Sequence, residues 1–488
     1  MSITPLTALS PDAPQTALTF LVLGAALYQC IRHGEIDNRL RPLSALYLPA
    51  FLGFIVLQSG LIISIIIYRA FFHRLRHFPG PWTAKVIRIS TALQAVERAQ
   101  YHLDLRAMHR KYGDFIPGAH RCRRRAWDRG FSMKALPTYK PLLQRKVDVL
   151  VSQIRSRLDR PLNITQWAMY LAFDVMGLLG FSKDFRQLED TAEHAAIKEL
   201  HGQMLILGIL KSIPWVLTIL GAIQGVVGNY GQFMIYYEDR IAEKKMLYEW
   251  TASESKVLKD IILWLIRAID ENDQSAPPGE QALNEDGRLL IITGSDTTGV
   301  ALANAFYYLT EYAAVYRKLQ AELDNAFPSG NQSTQINDDS LRKLPYFEAV
   351  INETFRLKPA IPSGQPRQTP PEGLQIDKVW YVIQRDDRCF PSAEEFIPER
   401  WLAEEDSLIR HEEAFFPFQL GADCVGRYGC VGKQLALTET RVVIAHIALE
   451  FNLTFAPGET GEAFDRDAKD TFTFTVGPLM LDFRPRCR

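Results

Sequence analysis

Two stretches near the N-terminus carry no charge, and they decide where this chain can fold. Ala13 to Ile31 is one and Leu43 to Tyr68 is the other. Each is long enough to span a bilayer, which takes about 20 apolar residues. Arg69, His73, Arg74, Arg76 and His77 follow the second run, and a basic cluster there holds the downstream domain on the cytoplasmic side. No positively charged region precedes the first run, which argues against a cleaved signal peptide. The first run also reads as a buried or interfacial helix. Pro49 and Gly53 permit a kink or a re-entrant path in the second, so the number of passes, two segments or three, stays open. The expectation is a membrane anchor over residues 1–77 and a second domain over 78–488.

That second domain reads as mainly α with small β-sheets. Tyr139 to Leu158 has an amphipathic helical pattern, and Glu193 to Asn229 is long and apolar with Pro214 inside it. Asp273–Glu285 and Pro328–Ser340 are rich in turn residues and read as loops. Partial alternation suggests short strands at Trp380–Ile383, Thr471–Val476 and Leu479–Phe483. A net charge of −1 argues against nucleic acid as a partner. The 6 cysteines are scattered, unlike those of a disulfide scaffold, which favours a reducing compartment.

Cys430 is the residue with the most chemical content. It lies in Gly426-Arg427-Tyr428-Gly429-Cys430-Val431-Gly432-Lys433, a glycine-rich turn running into a helical segment. Backbone N–H groups and the positive end of a helix dipole lower a thiol pKa there and favour a metal-binding thiolate. Gly432 would let the backbone pass beneath a flat cofactor where a Cβ would collide. One cysteine in such a turn suggests an axial haem ligand, whose electron donation favours O–O cleavage; a buried structural cysteine is the alternative.

Three motifs lie upstream. Thr293-Gly294-Ser295-Asp296-Thr297-Thr298 interrupts an apolar helical stretch. Asp and Thr in mid-helix compete for backbone groups, so they mark either a functional site or a polar kink. Glu353 and Arg356 share a helix face and can pair, as on many surface helices. Phe396-Ile397-Pro398-Glu399-Arg400-Trp401 supplies a further guanidinium.

In this order, the motifs resemble the cytochrome P450 family of haem-thiolate monooxygenases, in its fungal membrane-bound form. Phe78-Pro79-Gly80-Pro81-Trp82 resembles the proline hinge after the anchor, and Arg124 to Ser132 resembles the proximal helix. The resemblance implies a cytochrome P450-like fold behind an N-terminal transmembrane anchor. It implies haem b with Cys430 as the iron ligand and Phe418 and Gly432 in the haem loop. Arg124, His120 and Arg367 are then candidate propionate ligands, though His120 and Arg124 also read as a solvated basic face. It implies that Thr297 steadies bound dioxygen, that Asp296 relays protons and that Gly294 opens a groove for dioxygen. Glu353, Arg356 and Arg400 would form a buried network behind the Cys loop. Electrons would come from NADPH through a flavin reductase, steered by a basic strip at Arg121, Arg123, Arg124, Arg125 and Arg129. The implied reaction inserts one oxygen atom of O2 into a lipophilic small molecule, as in fungal secondary metabolism. The implied location is the endoplasmic reticulum membrane, with the catalytic domain facing the cytosol.

The chain departs from the family pattern in three places. Few residues separate Asp114 from His120, where strands, a helix and a substrate-recognition loop are usual. The chain also jumps from Asp377 to Val379-Trp380, leaving the domain incomplete near 115–120 and 377–380. Removing Ala422 to Gly426 restores the family spacing between Phe418 and Cys430, so a short insertion sits in the haem loop, and it brings a competing Cys424-Val425-Gly426. These departures raise the alternative of a non-catalytic or mis-spliced membrane-anchored relative that does not bind haem productively.

Overall fold

A computed structural model describes residues 124–210, 230–250, 260–273, 275–277, 279–328, 336–362, 383–402, 408–418, 429–471 and 473–486. By its contacts the chain divides into two units, Met1–His77 and Phe78–Arg488, and every described residue belongs to the second. The anchor segments and the proline hinge lie outside the described residues. So do His120, Arg367, Cys424, the insertion Ala422–Gly426 and both shortened regions.

The described architecture is mainly helical with two small sheets. Its helices are α1 (Arg124–Gly130), α2 (Leu136–Arg155), α3 (Ile164–Phe181), α4 (Ala195–Leu210), α5 (Tyr230–Trp250), α6 (Ile261–Asp270), α7 (Glu280–Glu311), α8 (Ala313–Ala326), α9 (Pro345–Leu357) and α10 (Lys433–Glu450). Helix α2 starts where Pro137 presets the backbone for a first turn. It buries Tyr139, Leu143, Val147, Leu150 and Ile154, one stripe at helical spacing.

The core is built on α3 and α7, which pack along one another. Both are long and apolar enough to cross a membrane by length and composition, yet both are mostly buried within the domain. Glycines allow their close approach. A Cβ on Gly294 would come within 2.6 Å of the Met176 side chain, and one on Gly299 would meet Met169 at the same distance. Gly294 therefore makes room for α3; the dioxygen groove expected at this position is not what its missing side chain provides.

Helix α7 also starts earlier than the sequence suggested. The polar stretch Asp273–Glu285 ends as a loop at Gly279, whose φ of +97° is a backbone that favours glycine. Glu280 then opens the helix, with its charge at the positive dipole end. The polar residues after it form the solvent side of the first turns.

The larger sheet has the order β1-β5-β2, from β1 (Leu162–Asn163), β2 (Phe451–Phe455) and β5 (Met480–Pro485), and is antiparallel throughout. Burial alternates along β2, with Phe451 and Leu453 inward and Asn452 and Thr454 outward. A second pair, β3 (Lys469–Asp470) and β4 (Phe474–Thr475), closes a hairpin whose turn carries Thr473. The two C-terminal strand expectations thus correspond to β4 and β5. Of Trp380–Ile383 only the last residue is described.

Helix α10 carries a buried acid, Glu439. Desolvation pushes its carboxyl up to about 8. A folded-state pKa above the unfolded value of 4.5 stabilises the fold at low pH, and this contribution is lost as pH rises toward 8. The slope is about 1.4 kcal/mol per pH unit across that window. Glu439→Gln should therefore flatten the loss of stability between pH 5 and 8 in urea unfolding; an unchanged slope would show that Glu439 ionises freely in the fold.

Candidate active site

Cys430 sits three residues before the first residue of α10, in the glycine-rich turn that leads into it. Its backbone N–H donates to the Phe418 carbonyl at 2.8 Å, tying the turn to the preceding segment. Its side chain is exposed. Protein atoms nonetheless crowd the sulfur, and desolvation raises the thiol above its ordinary range. Backbone N–H groups of Gly432 and Lys433 and the charges of Arg124 and Lys433 act in the opposite direction. The backbone influence expected from the turn is present, but burial outweighs it, so the net direction is opposite to the sequence expectation. A metal ion reverses this balance, because ligation removes the thiol proton.

Gly432 has φ −82°, a backbone any residue adopts. A Cβ there would meet Phe131 at 3.7 Å and the Cys430 sulfur at 3.8 Å, ordinary contacts. No atom of the described residues therefore demands glycine here.

Arg124, at the start of α1, donates to the Gly429 carbonyl and pairs with Asp128 at 2.7 Å. It is thus placed on the Cys turn. Phe131 stacks on Trp127 and reaches the same turn. Phe418 meets Phe355 edge-on, and the Lys433 ammonium lies 5.7 Å from its ring centre.

Behind this turn lies a buried charge network. Glu353 on α9 accepts from both Nε and Nη2 of Arg356, each at 2.8 Å, a two-pronged pair. It also accepts from Arg400 Nε at 2.9 Å, from Trp401 Nε1 at 2.9 Å and from the Ile397 N–H at 3.0 Å. Glu353 and Arg356 are 0% exposed and Arg400 1%, which rules out the commonplace surface pair. The remaining guanidinium N–H groups go to backbone carbonyls: Arg356 holds Gln384, Ala393 and Glu395, and Arg400 holds Pro391, Ser392 and Leu408. Gln384 passes the constraint on, donating to the Arg356 carbonyl and accepting from the Phe416 N–H. Phe416 lies two residues before the carbonyl that receives the Cys430 N–H, so the network reaches the thiol turn through short covalent steps.

On α7, Asp296 and Thr297 point to different sides. The Thr297 hydroxyl donates to the Thr293 carbonyl at 2.6 Å, and Thr293 in turn donates to Leu289. Leu289, Thr293 and Thr297 are each at least partly exposed, the open stripe of an otherwise buried helix. The helix runs unbroken through this motif, so the back-bonded hydroxyls do not break it. Asp296 is buried, and its carboxylate accepts from Thr473 at 3.1 Å. His201 Nε2 on α4 lies 3.3 Å from the other oxygen. Thr473 and His201 had escaped notice, because neither stands in a recognisable motif and only the folded chain brings them to Asp296.

The sequence matches the profile described as Cytochrome P450 over residues 117–483. The chain belongs to the cytochrome P450 family. Among the P450 relatives it is similar to Cytochrome P450 monooxygenase FCK2 of Fusarium pseudograminearum (strain CS3096), 31% identical over 483 residues, covering 88% of this chain and 85% of that protein. It is similar also to Cytochrome P450 monooxygenase orf5 of Eupenicillium brefeldianum, 31% identical, covering 88% and 94%. Tryprostatin B 6-hydroxylase of Aspergillus fumigatus is 27% identical, covering 87% and 84%. Among solved structures, the cytochrome P450DA haem domain aligns with a TM-score of 0.59 at 19% identity, covering 74% of this chain and 76% of that one, a likeness of fold.

The donor set fits the haem that this P450 family implies. Cys430 stands just before a helix, with the Gly432 and Lys433 backbone and the Arg124 and Lys433 charges favouring its thiolate, and the Arg124 guanidinium anchored on the adjacent Gly429 carbonyl. Cys430 would be the residue to hold the haem iron, as a single soft thiolate donor.

Proposed function

We propose that this P450 is a fungal haem-thiolate monooxygenase that inserts one oxygen atom of O2 into a lipophilic small molecule of secondary metabolism. The observation that carries the proposal is Cys430 in the turn before α10, with the Gly432 and Lys433 backbone favouring its thiolate and a buried network fixing the turn behind it. Monooxygenase names among the relatives, and a hydroxylase of a named fungal metabolite, support the same reading.

Haem, when bound, supplies the iron that activates dioxygen. The chain supplies placement and proton control. Cys430 would hold the iron, with Arg124 as the described candidate for a propionate and His120 and Arg367 as further candidates from sequence. Gly432 and Lys433 stabilise the thiolate through their N–H groups. Asp296 holds a proton-transfer position inside the core, and Thr297 beside it presents a hydroxyl on the open stripe of α7. Thr297→Ala should leave haem binding intact and divert electrons to hydrogen peroxide, lowering product per NADPH about tenfold or more. Unchanged coupling would remove Thr297 from proton control.

We place the protein at the endoplasmic reticulum membrane with this domain facing the cytosol, on the charge-free runs and the basic cluster after them. Electrons would come from an NADPH-dependent flavin reductase, drawn to Arg125 and Lys433, both exposed near the Cys turn. The test uses the full chain in microsomes with reductase, NADPH and isotopically labelled dioxygen. One labelled oxygen atom in an oxidised lipophilic product is the expected result. Label drawn from water, or oxidation that ignores NADPH, would overturn it.

A further inference from the structure

We propose that His201 is the positioning residue through which Asp296 draws protons from solvent, with Glu193 as its outer contact; this rests on the monooxygenase reading above. The geometry is a continuous chain of bonds from surface to core. Glu193, 30% exposed, has Oε1 at 2.5 Å from His201 Nδ1. The imidazole, 34% exposed, has Nε2 at 3.3 Å from Oδ1 of Asp296, which is 4% exposed. Thr473 holds the second Asp296 oxygen, so the carboxylate keeps one edge toward the imidazole. The Phe173 ring meets the imidazole edge-on at 5.3 Å and limits its rotation.

A transfer needs only protons. The Nε2–H bond breaks and an O–H bond forms at Asp296, as Asp296 gives up a proton toward the reacting centre. The neutral ring keeps its Nδ1–H on Glu193, and a hydronium ion from solvent restores Nε2–H and leaves water. His201 therefore acts through Asp296 and touches neither haem nor substrate.

Desolvation pulls the imidazole down, but the hydrogen bonds and charges of Asp296 and Glu193 prevail and push it up to about 10. The other titratable groups nearby do not compete. Tyr170 on α3, beside Glu193, and Tyr237 on α5, near Asp296, are both raised above their ordinary phenol range and stay neutral. His201 thus stays charged across the physiological range, and a cation between two carboxylates is the form able to donate.

The test compares His201→Gln and Glu193→Gln with the wild type, using full chains loaded with haem as judged by an intact carbon monoxide band. Product per NADPH is measured from about pH 6.5 to 9, with thermal unfolding over the same range. The wild type should hold its coupling across the range. His201→Gln should lose coupling progressively as pH rises, by about tenfold at the upper end, and Glu193→Gln by less. The unfolding gap between wild type and His201→Gln should be widest at the low end of this range and narrow steadily toward its upper end, because a raised folded pKa stabilises less and less as pH climbs toward it. An equal loss of coupling at every pH would make His201 a packing residue and overturn the proposal, as would an unfolding gap that ignores pH. A wild type that oxidises nothing would sink the monooxygenase reading and the relay with it, while the unfolding profile would still report whether His201 is charged.

Discussion

Cys430→Ala will lose the strongly red-shifted Soret band that a reduced, carbon monoxide-bound haem thiolate gives, while Cys424→Ala will keep it. The expectation follows from what surrounds each sulfur. Cys430 has its backbone N–H tied to the Phe418 carbonyl, the Gly432 and Lys433 backbone favouring its thiolate, and the start of α10 three residues on. Its downstream neighbours Lys433 and Leu435 lie in that helix, with Leu435 buried. No other side chain in the described turn offers a soft donor, so the loss should be complete rather than partial. Residual haem would show a band typical of non-thiolate ligation, and NADPH-dependent product would fall to background. A band that survives in Cys430→Ala and vanishes in Cys424→Ala would show that the insertion Ala422–Gly426 shifts the ligand to the earlier cysteine.

The second large effect is expected at Glu353. Its carboxylate neutralises two guanidiniums that are themselves buried, and it accepts from three further groups in all beyond Arg356. Glu353→Ala leaves Arg356 and Arg400 as uncompensated charges inside the protein. Breaking such a pair costs about 3–5 kcal/mol, against a total stability of about 5–15 kcal/mol for a domain. The carbonyls of Gln384, Ala393 and Pro391 would lose their anchors as the guanidiniums swing toward water. The expected result is little folded protein and little haem incorporated, measured as carbon monoxide-reactive haem per milligram of chain. Glu353→Gln keeps the shape and some acceptors but not the charge, and should fall between. Wild-type haem yield in Glu353→Ala would show that the network is not what secures the Cys turn.

Much of this site was legible because it is local. Cys430 and its N–H donors are near neighbours in sequence, and Glu353 and Arg356 lie on one turn of helix, so spacing alone set their relation. Arg400 needed the family resemblance, since nothing in Pro398-Glu399-Arg400-Trp401 says which carboxylate it seeks. The direction of the Cys430 shift was missed because dipole and N–H effects are readable from a turn, whereas desolvation depends on what packs over it. His201 and Thr473 were missed for a related reason. They lie 95 and 177 residues from Asp296 in sequence, and a histidine in an apolar helix carries no local sign of its partner. Gly294 was assigned a groove because a missing side chain looks like space, but a glycine equally marks where another helix comes close.

The strand order has a bearing on how the domain is made. β5 is the last described strand in the chain and the middle one in its sheet, with β1 on one side and β2 on the other. Until Met480–Pro485 has left the ribosome, neither neighbour has a strand partner among the described residues, and Arg486 has not yet reached Asp324 and the Ala448 carbonyl. The sheet therefore closes only once β5 has followed both neighbours in the chain, and a change that removed Met480–Pro485 would cost the domain a centre rather than a fringe.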